Sequence, residues 1–400
     1  MSEVAQVPQL RFPEVNGDLE EKKLDDVGSF KSGTGFTEAE QGGKSGVPFF
    51  KVSDMNLEGN QKVMVSANNY VNDEQIARLN YKPINKKSVI FAKVGAAVFL
   101  ERKRIADSFL IDNNMMAFTP TEDIDFIRQW FDTVRLSKYA QVGALPSYNA
   151  SDLKTIKINL PSLPEQTKIA NFLAAVDTKI EQLSKKQALL GEYKKGLMQQ
   201  IFSQATRFKA DDDSEFPDWE ERVLGDYLAH KSKKNKNNEV DLVLSVSNKK
   251  GFITQDEQFD GYQVASKDLT NYKIVEKGEY AYNPSRINVG SIARLKNNTI
   301  GIVSPMYVVF KLKNLDSIFF DNLYQTHLFK HLIKVGCSGS VRDSLNFNDM
   351  ADFVFSFPSL EEQAKIVNFL SSIDSKIEQV GKQLDESKQF KKALLQQMFV

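Results

Sequence analysis

Two stretches of the sequence are copies of each other: LPSLPEQTKIANFLAAVDTKIEQLSKKQALLGEYKKGLMQQIF at residues 160–202 and FPSLEEQAKIVNFLSSIDSKIEQVGKQLDESKQFKKALLQQMF at residues 357–399. Pro161 aligns with Pro358, and this offset of 197 residues holds without a gap to the end of both stretches. About half of the aligned pairs are identical, far more than two unrelated helices would share. The chain therefore contains an internal repeat.

Each copy predicts a long helix with a defined start. Ser162 with Glu165, and Ser359 with Glu362, have the S-x-x-E spacing of a capping box. Apolar residues then recur every three or four positions, which is typical of a coiled-coil seam. A helix of about 40 residues would be about 60 Å long, too long for a compact domain to cover, so we expect the copies to pair with each other. The seam residues are Ile169, Leu173, Val176, Ile180 and Leu183 in the first copy, and Ile366, Leu370, Ile373, Ile377 and Val380 in the second.

Length and composition exclude several classes of protein. A chain of 400 residues predicts two or three domains. The single cysteine, Cys337, excludes an internal disulfide framework and fits a reducing cytoplasm. The N-terminal residues lack the basic and apolar regions of a signal peptide. No run of eighteen apolar residues predicts a membrane span.

The charge is balanced over the chain, with 52 basic and 52 acidic residues. The balance holds locally as well, since residues 1–160 carry 20 basic and 21 acidic residues, and residues 216–357 carry 18 and 17. A nucleic-acid-binding chain is usually more basic. DNA binding would therefore depend on local clusters of charge or on a basic partner.

Each long helix follows a globular region of short strands, turns and isolated helices, which predicts a mixed α/β domain with a curved sheet. The pattern Leu19-Glu20-Glu21 recurs as Trp219-Glu220-Glu221 and marks the start of each region. The predicted strands are Ser88–Ala92, Ala96–Leu100 and Met115–Phe118 in the first region, and Glu279–Tyr282, Ser291–Leu295 and Met306–Phe310 in the second; the predicted helices are Phe126–Leu136 and Asn322–Val335.

No catalytic motif stands out in the sequence. Gly43-Lys44-Ser45 lacks the first glycine of a phosphate-binding loop, since position 38 is Glu38. His327 and His331 lack the glutamate of a zinc-protease H-E-x-x-H motif. We therefore predict a chain without catalytic residues and without a metal site.

Polar loops are the remaining candidates for a functional site. Arginine pairs with guanine and asparagine with adenine through two hydrogen bonds each, and glycine lets the backbone approach a groove closely. Ordinary solvated turns have a similar composition, and repetition in both halves favours the binding interpretation. The candidates are Asn283, Arg286 and Asn288 in the loop Asn283–Gly290, Ser340 and Arg342 after Cys337, Lys93 before Gly95, Arg102 and Arg104 in the basic run, and Tyr148.

The repeated motif L/F-P-S-L-x-E-Q-x-K-I-x-x-F-L-x-x-[IV]-D-x-K-I, at residues 160–180 and 357–377, resembles the specificity subunits of type I restriction–modification systems. The resemblance covers nearly the whole chain. It implies an α/β fold in which two similar target-recognition domains with curved mixed sheets are separated by two long helices that form an antiparallel coiled coil. The expected boundaries are a flexible lead-in at 1–18, recognition domain 1 at 19–160, spacer helix 1 at 161–203, a linker at 204–215, recognition domain 2 at 216–357, and spacer helix 2 at 358–400.

The resemblance also implies a function. Each recognition domain would read one half of a bipartite site in double-stranded DNA, and the helices would set the gap and dock two modification subunits. Those partners would use S-adenosylmethionine to methylate adenine N6, and restriction subunits would add ATP- and Mg-dependent translocation and cleavage. This chain would bind no cofactor itself.

An alternative is a coiled-coil scaffold with two peptide-binding domains. That interpretation explains the helices and the balanced charge equally well. It does not explain why the two globular regions diverge in sequence while the helices match. A gel shift of the reconstituted complex on DNA separates the two interpretations.

Overall fold

The structure is a computed structural model that describes residues 8–15, 17–141, 145–248, 250–254, 268–337 and 344–399. Two compact units are present: unit 1 comprises Met1–Lys185 and Gly381–Val400, and unit 2 comprises Lys186–Val380. Each unit therefore combines one globular region with parts of both long helices. In the described part of the chain, the helices are too short or too polar to cross a membrane.

Unit 1 is built around a four-stranded antiparallel sheet with strand order β2-β8-β5-β6. Its central strands are apolar on both faces, and Val89, Phe91 and Phe118 are buried. A three-stranded sheet, β4-β3-β7, contains one parallel pair, and β1 pairs with β9. The strands are β1 (Glu20–Lys23), β2 (Gly28–Ser32), β3 (Val47–Phe50), β4 (Tyr70–Val71), β5 (Ser88–Ala92), β6 (Lys103–Ala106), β7 (Leu110–Ile111), β8 (Met115–Pro120) and β9 (Lys157–Leu160); the helices are α1 (Asp73–Arg78), α2 (Ile124–Thr133) and α3 (Ala150–Lys154).

Unit 2 repeats this plan with different residues. Its four-stranded sheet has the order β11-β18-β15-β16, β10 pairs with β19, and two further antiparallel pairs are β12-β13 and β14-β17. Its strands are β10 (Glu220–Val223), β11 (Leu228–Lys231), β12 (Leu244–Ser247), β13 (Gly251–Thr254), β14 (Lys273–Glu276), β15 (Tyr280–Tyr282), β16 (Ile292–Arg294), β17 (Ile300–Val303), β18 (Val308–Leu312) and β19 (Val354–Phe357); its helices are α5 (Ser317–Leu323), α6 (His327–Cys337) and α7 (Phe347–Ala351).

The two long helices are α4 (Leu163–Phe202) and α8 (Leu360–Met398). In unit 1 the first part of α4 packs antiparallel on the last part of α8, and Asp177 pairs with Lys391 at 2.7 Å. In unit 2 the last part of α4 packs on the first part of α8, and Lys194 pairs with Asp374 at 2.8 Å. These two ion pairs are equivalent under the 197-residue offset. All ten predicted seam residues are buried or half-buried, which confirms the paired helices.

A short segment before each globular region packs on the long helix that follows that region. Arg11 donates to the buried carboxylate of Glu165 at 2.7 and 3.0 Å, and Phe12 packs edge-on against Phe172. We call each arginine–glutamate pair an Arg–Glu latch. The lead-in at 1–18 was predicted to be loosely held, and this is wrong for Arg11 and Phe12, because they pack on α4.

The same latch occurs in unit 2. Arg207 donates to Glu362 at 2.8 and 3.3 Å, Phe208 packs against Phe369, and the Trp219 indole N–H adds a hydrogen bond of 3.0 Å to Glu362. The equivalent of Trp219 in unit 1 is Leu19, which has no donor in its side chain. Both carboxylates are almost fully buried, so each arginine supplies the positive charge that a buried carboxylate requires.

One predicted strand is wrong. Ala96–Leu100 forms a short 3-10 helix, and β5 pairs instead with β6. Gly95 has φ +79°, so the chain turns sharply at the point where a strand would have to begin. The apolar residues Phe99 and Leu100 are exposed, which shows that the run AAVFL does not enter the core as a strand.

Candidate functional site

The loop Asn283–Gly290 joins two adjacent strands of the unit 2 sheet, β15 and β16. Its base is closed by the Asn283 N–H, which donates to the Ser291 carbonyl at 3.1 Å, and its tip is a 3-10 turn in which Ile287 is buried. Gly290 closes the turn at φ +93°. The turn is therefore fixed by its own backbone, and it presents the side chains of Arg286 and Asn288 to solvent.

Asn283 itself has a structural role. Its side chain is buried, its Oδ1 accepts the Ser285 N–H at 3.1 Å, and its Nδ2 lies 3.8 Å from the Met306 sulfur. The prediction that Asn283 contacts DNA is therefore corrected: Asn283 shapes the loop that carries Arg286 and Asn288.

A cleft of about 530 Å³ with both polar and apolar lining residues opens beside this loop. Asn288 and Gly290 line one side, Ser247 and Asn248 line the end of β12, and Lys330 of α6 lines the other side. Amide and hydroxyl groups together with an ammonium group can bind base edges and phosphate oxygens. The cleft therefore places polar groups of β12 and α6 beside the predicted loop.

The second predicted loop of unit 2 lies partly outside the described residues. Ser340 and Arg342 belong to residues 338–343, about which the structure says nothing. Cys337, before this segment, is buried. Leu345, after it, donates its N–H to the Pro284 carbonyl at 3.1 Å, so the chain returns to the loop Asn283–Gly290.

In unit 1, Tyr148 is a core residue and not a DNA contact. It is 4% exposed, its hydroxyl donates to the Ala92 carbonyl at 2.5 Å, and burial raises the pKa of the phenol. Its N–H donates to the carbonyl of Lys93, so Tyr148 lies beside the residue that follows β5. Lys93 is half-buried there.

The basic run Arg102-Lys103-Arg104 enters strand β6 and does not form a free loop. Lys103 is buried and pairs with Glu101 at 2.6 Å. Arg104 donates to the backbone carbonyls of Asn60 and Lys103, and burial, together with Arg102, lowers its pKa. Arg104 is therefore corrected to a residue that supports the 60–66 segment. Arg102 remains a half-exposed candidate.

A basic edge that the sequence analysis missed lies along strand β2. Lys31 is exposed, its ammonium group donates to the Lys82 carbonyl at 2.5 Å, and Lys31 lines two adjoining clefts, one with Lys82 and the other with Lys86. Burial, and then the charge of Lys82, lowers the pKa of Lys31. Its structural equivalent on the edge strand of unit 2 is Lys231, since Lys31 and Lys231 occupy the same register on their sheets.

This basic edge was visible only in part in the sequence. Lys82, Lys86 and Lys87 form a small cluster, but Lys31 is distant in sequence and joins them only through the pairing of β2. Such a surface can bind phosphate groups without reading bases. Among the described residues, no group of three or more His, Cys, Asp or Glu side chains is arranged to hold a metal ion.

Comparison with known families gives a match in both halves of the chain. The sequence model of the "Type I restriction modification DNA specificity domain" matches residues 16–190 and again residues 217–386. The two matches therefore follow the internal repeat and cover most of the chain.

Two curated relatives come from Methanocaldococcus jannaschii. The putative type I restriction enzyme MjaX specificity subunit is 24% identical over 426 aligned residues, which cover 96% of this chain and 93% of that protein. The type I restriction enzyme MjaVIII specificity subunit is 23% identical over 273 residues, which cover 63% of each chain.

Solved structures show a similar fold. The crystal structure of the type I restriction–modification system S subunit from M. genitalium has a TM-score of 0.57 at 15% identity, over 99% of both chains. A structure described under complex assembly and conformational transition of the type I R-M system has a TM-score of 0.53 at 14% identity, over 96% of this chain and 97% of that one.

Proposed function

Since this chain belongs to the type I restriction–modification DNA specificity family, we propose that its two recognition domains each read one half of a bipartite, asymmetric site in double-stranded DNA. Recognition domain 2 would use the loop Asn283–Gly290, with Arg286 and Asn288 as the exposed readers. Recognition domain 1 would hold the phosphate backbone through Lys31, Lys82 and Lys86.

One observation carries this proposal. The four-stranded sheets of the two units have equivalent strand orders, whereas the loops at the ends of equivalent strands differ in sequence and in conformation. For example, the turn after β15 exposes Arg286 and Asn288, whereas the turn after β5 exposes Phe99 and Leu100. Two domains that recognise different DNA sequences require a common scaffold with loops that differ.

The paired helices would set the gap between the half-sites and dock two modification subunits. Tyr193 on α4 and Phe390 on α8 are equivalent under the 197-residue offset, and they are 56% and 53% exposed. Leu189, one turn before Tyr193, is exposed as well. Exposed aromatic residues at equivalent places on two helices support docking of two copies of one partner.

Catalysis would belong to the partners. The modification subunits would bind S-adenosylmethionine and methylate adenine N6, and restriction subunits would use ATP and Mg for translocation and cleavage of unmodified DNA. This chain would act in the cytoplasm as a noncatalytic subunit. Its balanced charge agrees with a complex in which the partner subunits supply part of the positive charge that binds the DNA phosphates.

Expression of the chain with its modification subunit, followed by sequencing of the methylated adenines, tests the proposal. We expect methylation at a two-part site with a fixed gap. The purified chain alone should bind DNA weakly and transfer no methyl group. Methyl transfer without a partner, or a complex that gives no gel shift on DNA, would refute the proposed role.

A further inference from the structure

Asp177 of α4 is the centre of a polar contact between recognition domain 1 and the paired helices of unit 1. Its carboxylate accepts a hydrogen bond from Gln129 at 3.2 Å, and it lies 3.7 Å from the guanidinium of Arg128 and 3.9 Å from the ammonium of Lys62. The other oxygen pairs with Lys391 of α8 at 2.7 Å. Three side chains of the domain and one of the partner helix thus meet one carboxylate, and we call this contact the Asp177 lock.

The lock is buried and its members are held in place. Asp177 is 7% exposed, and burial alone would raise its pKa. Hydrogen bonding and charge from Lys391, with the charge of Lys62, outweigh burial, so the pKa lies below its ordinary value. Arg128 is oriented by Asp132 at 3.1 Å, and Lys62 by Glu181 at 3.0 Å. The carboxylate is therefore ionised and its partners converge on it.

Unit 2 has the helix-to-helix part of this contact without the domain part. Asp374, the equivalent of Asp177, pairs with Lys194, and its side chain is 50% exposed. Within the described ranges of unit 2, no side chain of recognition domain 2 forms an ion pair with Asp374. The residue types explain why.

The N-caps of α2 and α5 align the two domains. The backbone N–H of Asp123 donates to Gln166, and the backbone N–H of Asp316 donates to Gln363, the equivalent glutamine. Counting from these caps, Arg128 corresponds to Asp321. An aspartate at this position would repel Asp374, and Asp321 in fact faces the sheet.

The sheet-facing contacts of Asp321 are strong. It accepts the Tyr280 hydroxyl at 2.9 Å and pairs with Arg294 at 2.7 Å and Lys296 at 2.9 Å. In the described part of unit 2, Gln129 is matched by Asn322, whose amide donates to its own helix at Ile318. Asp321 and Asn322, the unit 2 residues equivalent to Arg128 and Gln129, thus have partners other than Asp374.

Other attachments are common to both units. Phe126 of α2 packs on Phe399 with ring centroids 5.2 Å apart, and Phe319 of α5 packs on the equivalent Phe202 at 5.3 Å. Each domain also has its Arg–Glu latch. The Asp177 lock is therefore an addition that distinguishes recognition domain 1 from recognition domain 2.

We infer that Asp177 is a positioning residue that fixes the angle of recognition domain 1 on the paired helices and so makes the complex select one gap length between the half-sites. The inference rests on the proposed function. A buried charged contact has few alternative arrangements, because an ion displaced from its partners loses their compensation for burial. Apolar contacts are not directional, so they constrain the angle of the domain less.

The test uses the full chain in complex with its modification subunits. The substrates are DNA duplexes that carry the wild-type half-sites with the gap shortened or lengthened by one base pair. For Asp177→Asn we expect methylation on the altered gaps, relative to the native gap, to rise by about tenfold, within the range of coupling changes caused by single residues. Asp374→Asn is the matched control, since it breaks the equivalent helix ion pair where no lock exists, and it should leave this ratio unchanged.

The double variant Lys62→Gln/Arg128→Gln keeps the Asp177–Lys391 pair and removes the charged domain side of the lock. It should relax the gap requirement as Asp177→Asn does, and it decides the question if Asp177→Asn does not fold. An unchanged gap ratio in the double variant, or an equal change in Asp374→Asn, would overturn the inference.

Amide hydrogen exchange gives a readout that does not depend on methylation. Exchange in α2 and in residues 56–64 should increase in the double variant, whereas exchange in α5 should not increase in Asp374→Asn. Unchanged exchange in the double variant overturns the lock. A wild-type complex that methylates no bipartite site, together with increased exchange in the double variant, would refute the proposed function and leave the lock itself supported.

Discussion

Ending the chain after Ser203 should leave a fragment that forms a working two-fold dimer. In unit 1 the first part of α4 packs against the last part of α8, and residues 186–202 align with that part of α8 without a gap and keep Lys194, Leu197 and Phe202. Lys194 of the second molecule would replace Lys391 and keep the ion pair with Asp177. The fragment would then present recognition domain 1 twice, in opposite orientations.

The cost of the exchange follows from the residues that change in the seam. Leu197 replaces Leu394 without change, and Ile201 replaces Met398, a swap of similar volume that costs less than about 1.5 kcal/mol. Leu190 replaces Ser387 and adds an apolar side chain at a half-buried position. A further cost is the loss of the covalent link through residues 203–359, because the two helices then pair only as separate molecules. Gln187 replaces the buried Leu384 and loses roughly 1.5–3 kcal/mol of apolar burial, so the dimer should pair less tightly than the two helices of the full chain and should depend on concentration.

The structure also indicates the residue at which the fragment should end. Residues 204–210 include Arg207 and Phe208, which match Arg11 and Phe12 in their contacts with a long helix. In the dimer these residues would compete with the N-terminal segment for Glu165. A fragment ending at residue 210 should therefore dimerise less tightly than one ending at Ser203.

Expression with the modification subunit and sequencing of methylated adenines tests this prediction, and sedimentation gives the dissociation constant. We expect an inverted repeat of the first half-site, with a gap close to that of the full chain. Methylation at the original asymmetric site, or at single half-sites without a partner at fixed spacing, would refute the reasoning. Equal dimerisation of the two fragments would refute the competition for Glu165.

Replacing Arg286 by alanine should lower methylation about tenfold only where the half-site of recognition domain 2 is present, because a bidentate arginine–guanine contact contributes about 1–3 kcal/mol; an equal loss on all sequences would make Arg286 a phosphate contact. Lys31→Ala should instead weaken binding equally on all sequences and reduce the slope of log affinity against log salt by about 0.9, measured by titration at several salt concentrations. Arg207→Met should lower the free energy of unfolding by about 3 kcal/mol in urea, because Glu362 would be buried without a positive charge; a loss below about 1 kcal/mol would contradict this role. The lowered pKa of Asp177 stabilises the fold at pH values above the ordinary aspartate pKa of about 3.9, and this contribution is lost as the pH falls through the lower folded value, so Asp177→Asn should flatten the acid limb of the stability curve.

The sequence predicted the repeated features of the fold well, because they depend on periodic patterns. The capping boxes, the seam and strands such as β5 and β8 were read from local spacing alone. Ala96–Leu100 was assigned wrongly because a short apolar run is compatible with several conformations, and the positive φ of Gly95 decides between them. The single helix predicted over Asn322–Val335 is two helices, α5 and α6, whose boundary carries no proline or glycine.

The candidate site was harder to predict because exposure depends on tertiary packing. Arg286 and Asn283 are three residues apart in one loop, yet one is exposed and the other shapes the turn. Tyr148 was a candidate DNA-binding residue, but its hydroxyl donates to the carbonyl of Ala92, 56 positions earlier. Lys31 was missed because it is distant in sequence from Lys82 and Lys86, and only the fold brings these residues together.

The Arg–Glu latches have a consequence for inheritance. In each half the arginine lies before the recognition domain and the glutamate lies just after it, so a DNA segment encoding Arg11 through Glu165, or Arg207 through Glu362, encodes both members. The long helices that follow the two segments are identical at about half of their aligned positions, which gives homologous recombination matched places to cross over. A foreign recognition domain acquired between such crossovers would bring its own fastening with it. New DNA specificities could then arise by exchange of whole cassettes, without compensating mutations in the helices.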